Sequence, residues 1–191
     1  MTITSNHVVC CLFVCLLVGW LSTVSKCHNV LYRLQHGENP PGLQPKVWWI
    51  LIGTNDLGSD SCSADAITVG NIRIVQEIRR QHPTTPIVIN SILPRGSEEL
   101  LHFNAMWPIL QTINQRLECY ARFMTVPSAP IKFFNATSLF TYEDIKDDNE
   151  YGREVYINET LMNDYLHPSG EGAMVWGQEI VKMVLALTSG A

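Results

Sequence analysis

Six consecutive apolar residues, Val47 to Ile52 (V-W-W-I-L-I), run without alternation into Gly53. A strand with one wet face alternates polar and apolar residues, so an unbroken run fits a strand covered on both faces. Gly53 then allows a sharp backbone turn. The pattern recurs. Pro86 leads into a second buried strand, I-V-I-N-S-I-L (87–93), and Ile131–Phe134 is a third. Helix-period segments separate them. One is opened by Ser63 or Asp65, turns Ile67, Ile74, Val75 and Ile78 inward and Arg73, Glu77 and Arg80 toward water, and stops before Pro83. The next runs from Trp107 to Arg122, with Pro108 in its first turn and Ile109, Ile113, Leu117 and Tyr120 on one stripe. A final helix over Ala173–Leu187 presents Trp176, Ile180, Val184 and Leu187 to the core. Asn29–Leu34 is a short helical turn, and the acidic stretch Glu143–Arg153 is a solvated loop. Strands alternating with helices imply βαβ crossovers, hence an α/β fold with a parallel sheet.

With 191 residues, the chain suits one domain of ordinary size. A net charge of -5 with no run of Lys or Arg argues against nucleic acid as the partner. Residues 1–25 are a different material, with no charged side chain and an almost wholly apolar stretch from Val8 to Leu21. They are expected to be a signal peptide or a membrane anchor, forming an N-terminal apolar helix ahead of a domain over residues 29–191. A secreted or membrane-anchored location follows, and Asn135-Ala-Thr137 and Asn158-Glu-Thr160 would then be glycosylation candidates. Cys10, Cys11 and Cys15 lie in the apolar stretch, which leaves Cys27, Cys62 and Cys119, an odd set without CxxC spacing. Free thiols with at most one bridge are expected there, and no metal site.

In a parallel α/β sheet, sites form at the carboxyl ends of the strands. Asn55 stands just past one such end, where its amide is a ready donor to a developing oxyanion. Asp164 precedes His167 by three residues in N-D-Y-L-H-P-S-G, on the approach to the last helix. A carboxylate so placed fixes the imidazole tautomer and stabilises its charged form, which is the base half of a nucleophile–histidine–carboxylate machine. His28, His36, His82 and His102 show no ligand spacing, Trp48 and Trp49 read as sheet packing, and Ser61, Ser91 and Ser169 read as caps or turns.

G-T-N-D (Gly53–Asp56) and D-Y-L-H (Asp164–His167), together with I-V-I-N-S-I-L-P-R-G and N-V-L-Y-R-L-Q-H-G-E, resemble the SGNH or GDSL-type esterases and lipases. The look is that of the branch containing the catalytic subunits of platelet-activating-factor acetylhydrolase. The resemblance implies a three-layer α/β/α flavodoxin-like fold. It also implies ester hydrolysis through an acyl-serine, without metal or cofactor. The implied partner is a small-molecule ester, an acyl lipid or acetylated carbohydrate, with membrane association through the N-terminus and a homodimer as further options. By the same resemblance Asn55 is an oxyanion donor, Gly53 permits close approach of its loop, His167 is the general base and Asp164 its orienter.

The family's first two blocks have no counterpart in this sequence. The Gly58–Ser61 tetrapeptide G-S-D-S follows the third block instead of preceding it, and Ser22 and Ser25 lack a preceding Gly-Asp. No nucleophile is assigned. The sheet is expected to lack its first strands, leaving the strand that ends at Ile52 with an unpaired edge. The expectation is therefore an ester-hydrolase domain without its nucleophile segment, either inactive or the product of an incomplete gene model. The alternative is a non-catalytic secreted or membrane-associated binding module on the same fold.

Overall fold

In the computed structural model, three short strands, β1 (Trp48–Ile50), β2 (Ile87–Asn90) and β3 (Ile131–Phe134), form a parallel sheet in the order β1-β2-β3. The structure describes residues 25–40, 42–97, 101, 104–144 and 154–189. The expected leader, its apolar helix, His102 and most of the acidic loop lie outside the described residues. No helix among the described residues is long and apolar enough to cross a membrane.

The register pairs Trp48 with Ile87 and Ile87 with Ile131, so alternate residues of each strand serve opposite faces. Trp48, Ile50, Ile87 and Ile89 meet a core built with α1 (Cys27–Gln35), α3 (Ala64–Gln81) and α4 (Trp107–Met124). Val47, Trp49 and Val88 meet a second core under α6 (Gly170–Thr188), with Phe140, Ile157, Leu161, Met162, Trp176, Ile180 and Val184. Both faces of β1 and β2 are covered, which is why Trp48–Ile50 and Ile87–Ile89 read as apolar runs, whereas edge strand β3 exposes Lys132. The three-layer α/β/α arrangement is the one anticipated. Among the described residues β1 pairs only with β2, yet Trp48, Trp49 and Ile50 are all buried.

Local chemistry sets the helix limits. Ser63 Oγ accepts from the Ala66 N–H at 3.2 Å, with Asp65 in the first turn and Arg79 and Arg80 in the last of α3. Ser169 caps α6 in the same way, accepting from the Gly172 N–H at 3.0 Å. Beyond Asn90 the second strand ends sooner than its apolar letters suggest. The main chain of Ile92 bonds not to a neighbouring strand but to the Asn114 side chain, which accepts from its N–H at 2.8 Å and donates to its carbonyl at 3.0 Å.

Three expectations need correction. The buried stripe of α4 is Leu110, Ile113, Leu117 and Ala121, whereas Ile109 is exposed. The helix is rotated by about one residue, and Pro108 at its start hides the phase. Glu77 is buried rather than facing water, and its carboxylate accepts from Arg80 and Gln81. Finally, the acidic stretch is flanked by an antiparallel pair, β4 (Thr141–Asp144) and β5 (Glu154–Ile157), joined by stacked Tyr142 and Tyr156 rings 5.4 Å apart. Two short helices, α2 (Thr54–Ser59) and α5 (Thr137–Phe140), also escape the apolar-period reading, because four to six residues carry too little pattern.

Candidate active site

The strand β1 delivers the chain to Gly53, whose φ of +120° belongs to glycine. A Cβ there would sit 2.7 Å from Ile92 Cδ1 and 2.9 Å from Ile67 Cγ2. Only a residue without a side chain lets this loop lie against the core. Helix α2 starts at the next residue, so Asn55 falls in its first turn. The Asn55 amide donates to the Ser25 carbonyl at 3.1 Å. Its neighbour Asp56 is buried, and its carboxylate accepts from the Cys27 N–H at 3.1 and 3.2 Å. Asp56 thus satisfies an orphan donor at the N-terminus of α1. The sequence assigned Asp56 no role, although a carboxylate placed beside a covered strand end was a signal that it caps something.

The second group lies just ahead of α6. Asp164 Oδ1 accepts from the Leu166 N–H at 2.9 Å and the His167 N–H at 2.7 Å, while Oδ2 lies 2.7 Å from His167 Nδ1. This is the turn an Asp makes with the backbone that follows it, and it leaves the carboxylate facing the imidazole. Hydrogen bonding from the His167 N–H, aided by the imidazole and the Leu166 N–H, holds the Asp164 carboxyl down at about 2. An ionised Asp164 accepting at Nδ1 fixes the tautomer with its proton on Nδ1, and Nε2 is left to act as a base. Both side chains are exposed. Between them, Tyr165 takes a φ of +57°, costly for an aromatic residue.

The two groups are linked through the L-P-R-G turn. Half-buried Arg95 donates through Nη1 to the Thr54 carbonyl at 2.5 Å and to Thr54 Oγ1 at 3.1 Å. The next residue, Gly96, donates its N–H to the Tyr165 carbonyl at 2.9 Å. Asn104 holds the Arg95 carbonyl and is itself fixed at the start of α4 by its bond to the Met106 N–H at 2.9 Å. Thus the segment bearing Gly53 and Asn55 and the turn bearing Asp164 and His167 grip opposite sides of one dipeptide. The sequence singled out L-P-R-G only as part of a likeness. The signal for Arg95 was a lone cation in a Pro-Gly turn between two motif blocks.

The remaining candidates sit elsewhere. Ser91 is a buried network member, not a surface turn residue: its Oγ lies 2.8 Å from Thr137 Oγ1 and accepts from the Thr137 N–H at 2.9 Å. Asn135 is exposed after β3, but the hydroxyl of its sequon, Thr137, is buried. Asn158 follows β5 and accepts from the Thr160 N–H at 3.1 Å. Cys27, Cys62 and Cys119 are free thiols, Cys27 buried and pushed up by that burial. Among the described residues no three His, Cys, Asp or Glu side chains are placed to hold a metal ion.

Comparison with known proteins places this geometry in context. The GDSL-like lipase/acylhydrolase family matches residues 17–175. Platelet-activating factor acetylhydrolase IB subunit alpha1 from Pongo abelii is 30% identical over 144 residues, 75% of this chain and 53% of that protein. Subunit alpha1 from Bos taurus is 29% identical over the same shares. The chain spans about half the length of the curated relatives it matches over that stretch. Among solved structures, a carbohydrate esterase family 3 protein from Talaromyces cellulolyticus superposes with a TM-score of 0.65 at 15% identity, covering 87% of this chain and 70% of its own. A GDSL-like lipase from Bacteroides thetaiotaomicron gives 0.59 at 20% identity, with 87% and 73% covered. These likenesses show the shared fold.

Proposed function

The chain belongs to the GDSL-like lipase/acylhydrolase family, and from that premise we propose that His167 and Asp164 are the acid–base half of a serine-type carboxylic-ester hydrolase. The observation that carries the reading is the contact of His167 Nδ1 with an ionised Asp164 at 2.7 Å, in a turn that leads directly into a capped helix. In this role His167 Nε2 takes the proton of an attacking serine hydroxyl and returns it to the departing alcohol, while Asp164 stabilises the imidazolium. Water then cleaves the acyl-serine by the same proton route in reverse. The Asn55 amide, steadied by the Ser25 carbonyl, donates to the oxyanion, and Gly53 gives its loop the close approach this needs. The names of the relatives, an acetylhydrolase subunit and a carbohydrate esterase, support a small acyl ester on a lipid or a sugar as substrate.

The nucleophile in this reading lies outside the described residues. No Gly-Asp-Ser tripeptide occurs in the sequence. Ser63 and Ser169 are helix caps, and Ser91 is locked to Thr137. In this reading the described residues hold the acid–base half alone, and a serine-bearing segment is needed to complete the site. These engaged hydroxyls also favour a second reading, in which the same fold binds an acylated ligand without turnover, outside the cell or at a membrane.

Hydrolysis of p-nitrophenyl acetate separates the two readings. The 191-residue chain is expected to release no nitrophenolate, and joining it to the Gly-Asp-Ser segment of a relative should create turnover that vanishes in His167→Ala. Failure of the completed chain to react would reject the hydrolase reading. Reaction of the 191-residue chain itself, lost in His167→Ala, would reject only the need for an added segment.

A further inference from the structure

Two hydrogen-bonded connections leave the Arg95–Gly96 dipeptide in opposite directions, one to Thr54 beside Asn55 and one to Tyr165 between Asp164 and His167. We propose that Arg95 is a positioning residue, a strap that sets where the Asn55 amide stands relative to the Asp164–His167 pair. The inference rests on the ester-hydrolase reading for its consequence in catalysis, but the strap itself is testable without turnover.

Three features argue that this arginine does more than decorate a turn. Its guanidinium is half-buried, and among the described residues it pairs with no carboxylate. Burial alone depresses its affinity for the proton, so it carries a desolvation cost that an arginine facing water would avoid. Second, the fold makes room for it. A Cβ at Gly58 would lie 2.2 to 2.4 Å from three guanidinium atoms, so the arginine head lies directly across α2 where that helix lacks a side chain. Third, its backbone is anchored independently. Asn104, bonded to the start of α4, holds the Arg95 carbonyl, so the strap has a fixed post from which to reach Thr54 and Tyr165.

Thr54 is the first residue of α2, and a shift of its carbonyl carries Asn55 with it. Tyr165 sits at the left-handed step of the acid–imidazole turn, where a change in its carbonyl direction rotates the neighbours on either side. Placement errors of about 1 Å between catalytic groups cost on the order of a hundredfold in rate. A guanidinium, with several donors in one rigid plane, is suited to hold a carbonyl and a hydroxyl together.

The test uses the 191-residue chain with Arg95→Met, Arg95→Lys, Gly58→Ala and the Gly58→Ala/Arg95→Met pair. Amide exchange at Gly96 and nitrogen-15 signals of the Asn55 amide and the His167 imidazole are read together. Arg95→Met should speed Gly96 exchange by about tenfold, the loss of a hydrogen-bonded charge. It should also move both side-chain signals while α3 amides keep their protection. Gly58→Ala leaves Arg95 in place chemically but displaces its head, and should give the same pattern, with no further change in the double variant. Arg95→Lys should recover part of the wild-type signals. A His167 signal unmoved while Asn55 shifts would overturn the proposal, as would equal loss of protection throughout the molecule. In a completed, active chain Arg95→Met should lower kcat with little change in KM. Absence of hydrolysis would count against the ester-hydrolase reading and leave the strap to be judged from exchange and chemical shifts.

Discussion

A side chain at Gly53 would have nowhere to go. Its φ of +120° strains any other residue, and Ile92 and Ile67 close the space a Cβ needs. Strain and overpacking together set the expected cost of Gly53→Ala at roughly 2–4 kcal/mol, measurable by urea denaturation. A loss under about 0.5 kcal/mol, the range of a neutral surface change, would show that the loop can open. Asp164 makes a prediction of different sign and size. Its carboxyl is held near 2, below the ordinary 3.8, chiefly by the His167 N–H. A depressed carboxylate contributes stability that is present above its unfolded value and lost as pH falls through its folded one. The pair should therefore stay intact down to about pH 2, with the carboxyl carbon of Asp164 titrating there by NMR. A midpoint near 3.8 would mean the turn is not formed in solution. Because both side chains are exposed, solvent keeps the stability at stake small.

Between β2 and α6 the decisive contact is polar. Asn90 Oδ1 accepts from the indole N–H groups of Trp49 and Trp176, each at 3.2 Å, and its own amide donates to the Ser91 carbonyl at 2.7 Å. Asn90→Leu would leave two buried indole donors without their acceptor, an expected loss of about 2–4 kcal/mol accompanied by altered tryptophan fluorescence. An unchanged denaturation midpoint would show that the indoles find other acceptors. This contact marks the boundary of what the sequence makes legible. The strands could be read because Val47–Ile52 is apolar throughout and Ile131–Phe134 is apolar but for Lys132, and α3 and α6 because Ser63 and Ser169 cap an apolar period. Asn90 could not, since an amide within an apolar strand says nothing about which distant indoles it meets. Glu77 was misread for a related reason: a carboxylate on a helix reads as solvated unless its partners, here Arg80 and Gln81, are known to seal it. In the candidate site the Asp164–His167 pair was visible because its spacing is local. The Arg95 strap was not, since it joins residues 41 positions apart in sequence.

On the scale of the molecule, the candidate site bridges two cores that meet at the sheet and at Trp107, which packs against both. Gly53 and Asn55 are held beside Leu57, Ile52 and Ile67 of the first core, whereas Tyr165, Leu161 and Met162 belong to the second. The relative placement of amide and imidazole therefore depends on the two cores folding as one unit. Strand β2 is what couples them. It is paired on both sides, and Ile87, Val88 and Ile89 are wholly buried, with Ile89 in the first core and Val88 in the second. Its amides should consequently be the slowest to exchange among the described residues, opening only with global unfolding. Ile89→Ala and Ile180→Ala remove apolar volume from opposite cores, and each should cost about 2–5 kcal/mol. If the sheet couples the cores, both variants lower a single cooperative transition, and their costs add to within about 0.5 kcal/mol. Two separate transitions in Ile180→Ala, with α6 and the Asp164–His167 turn melting first, would show that the second core folds independently. The acid–imidazole pair could then leave the amide without the first core unfolding, and strain on the Arg95–Gly96 strap would be the earliest sign of it.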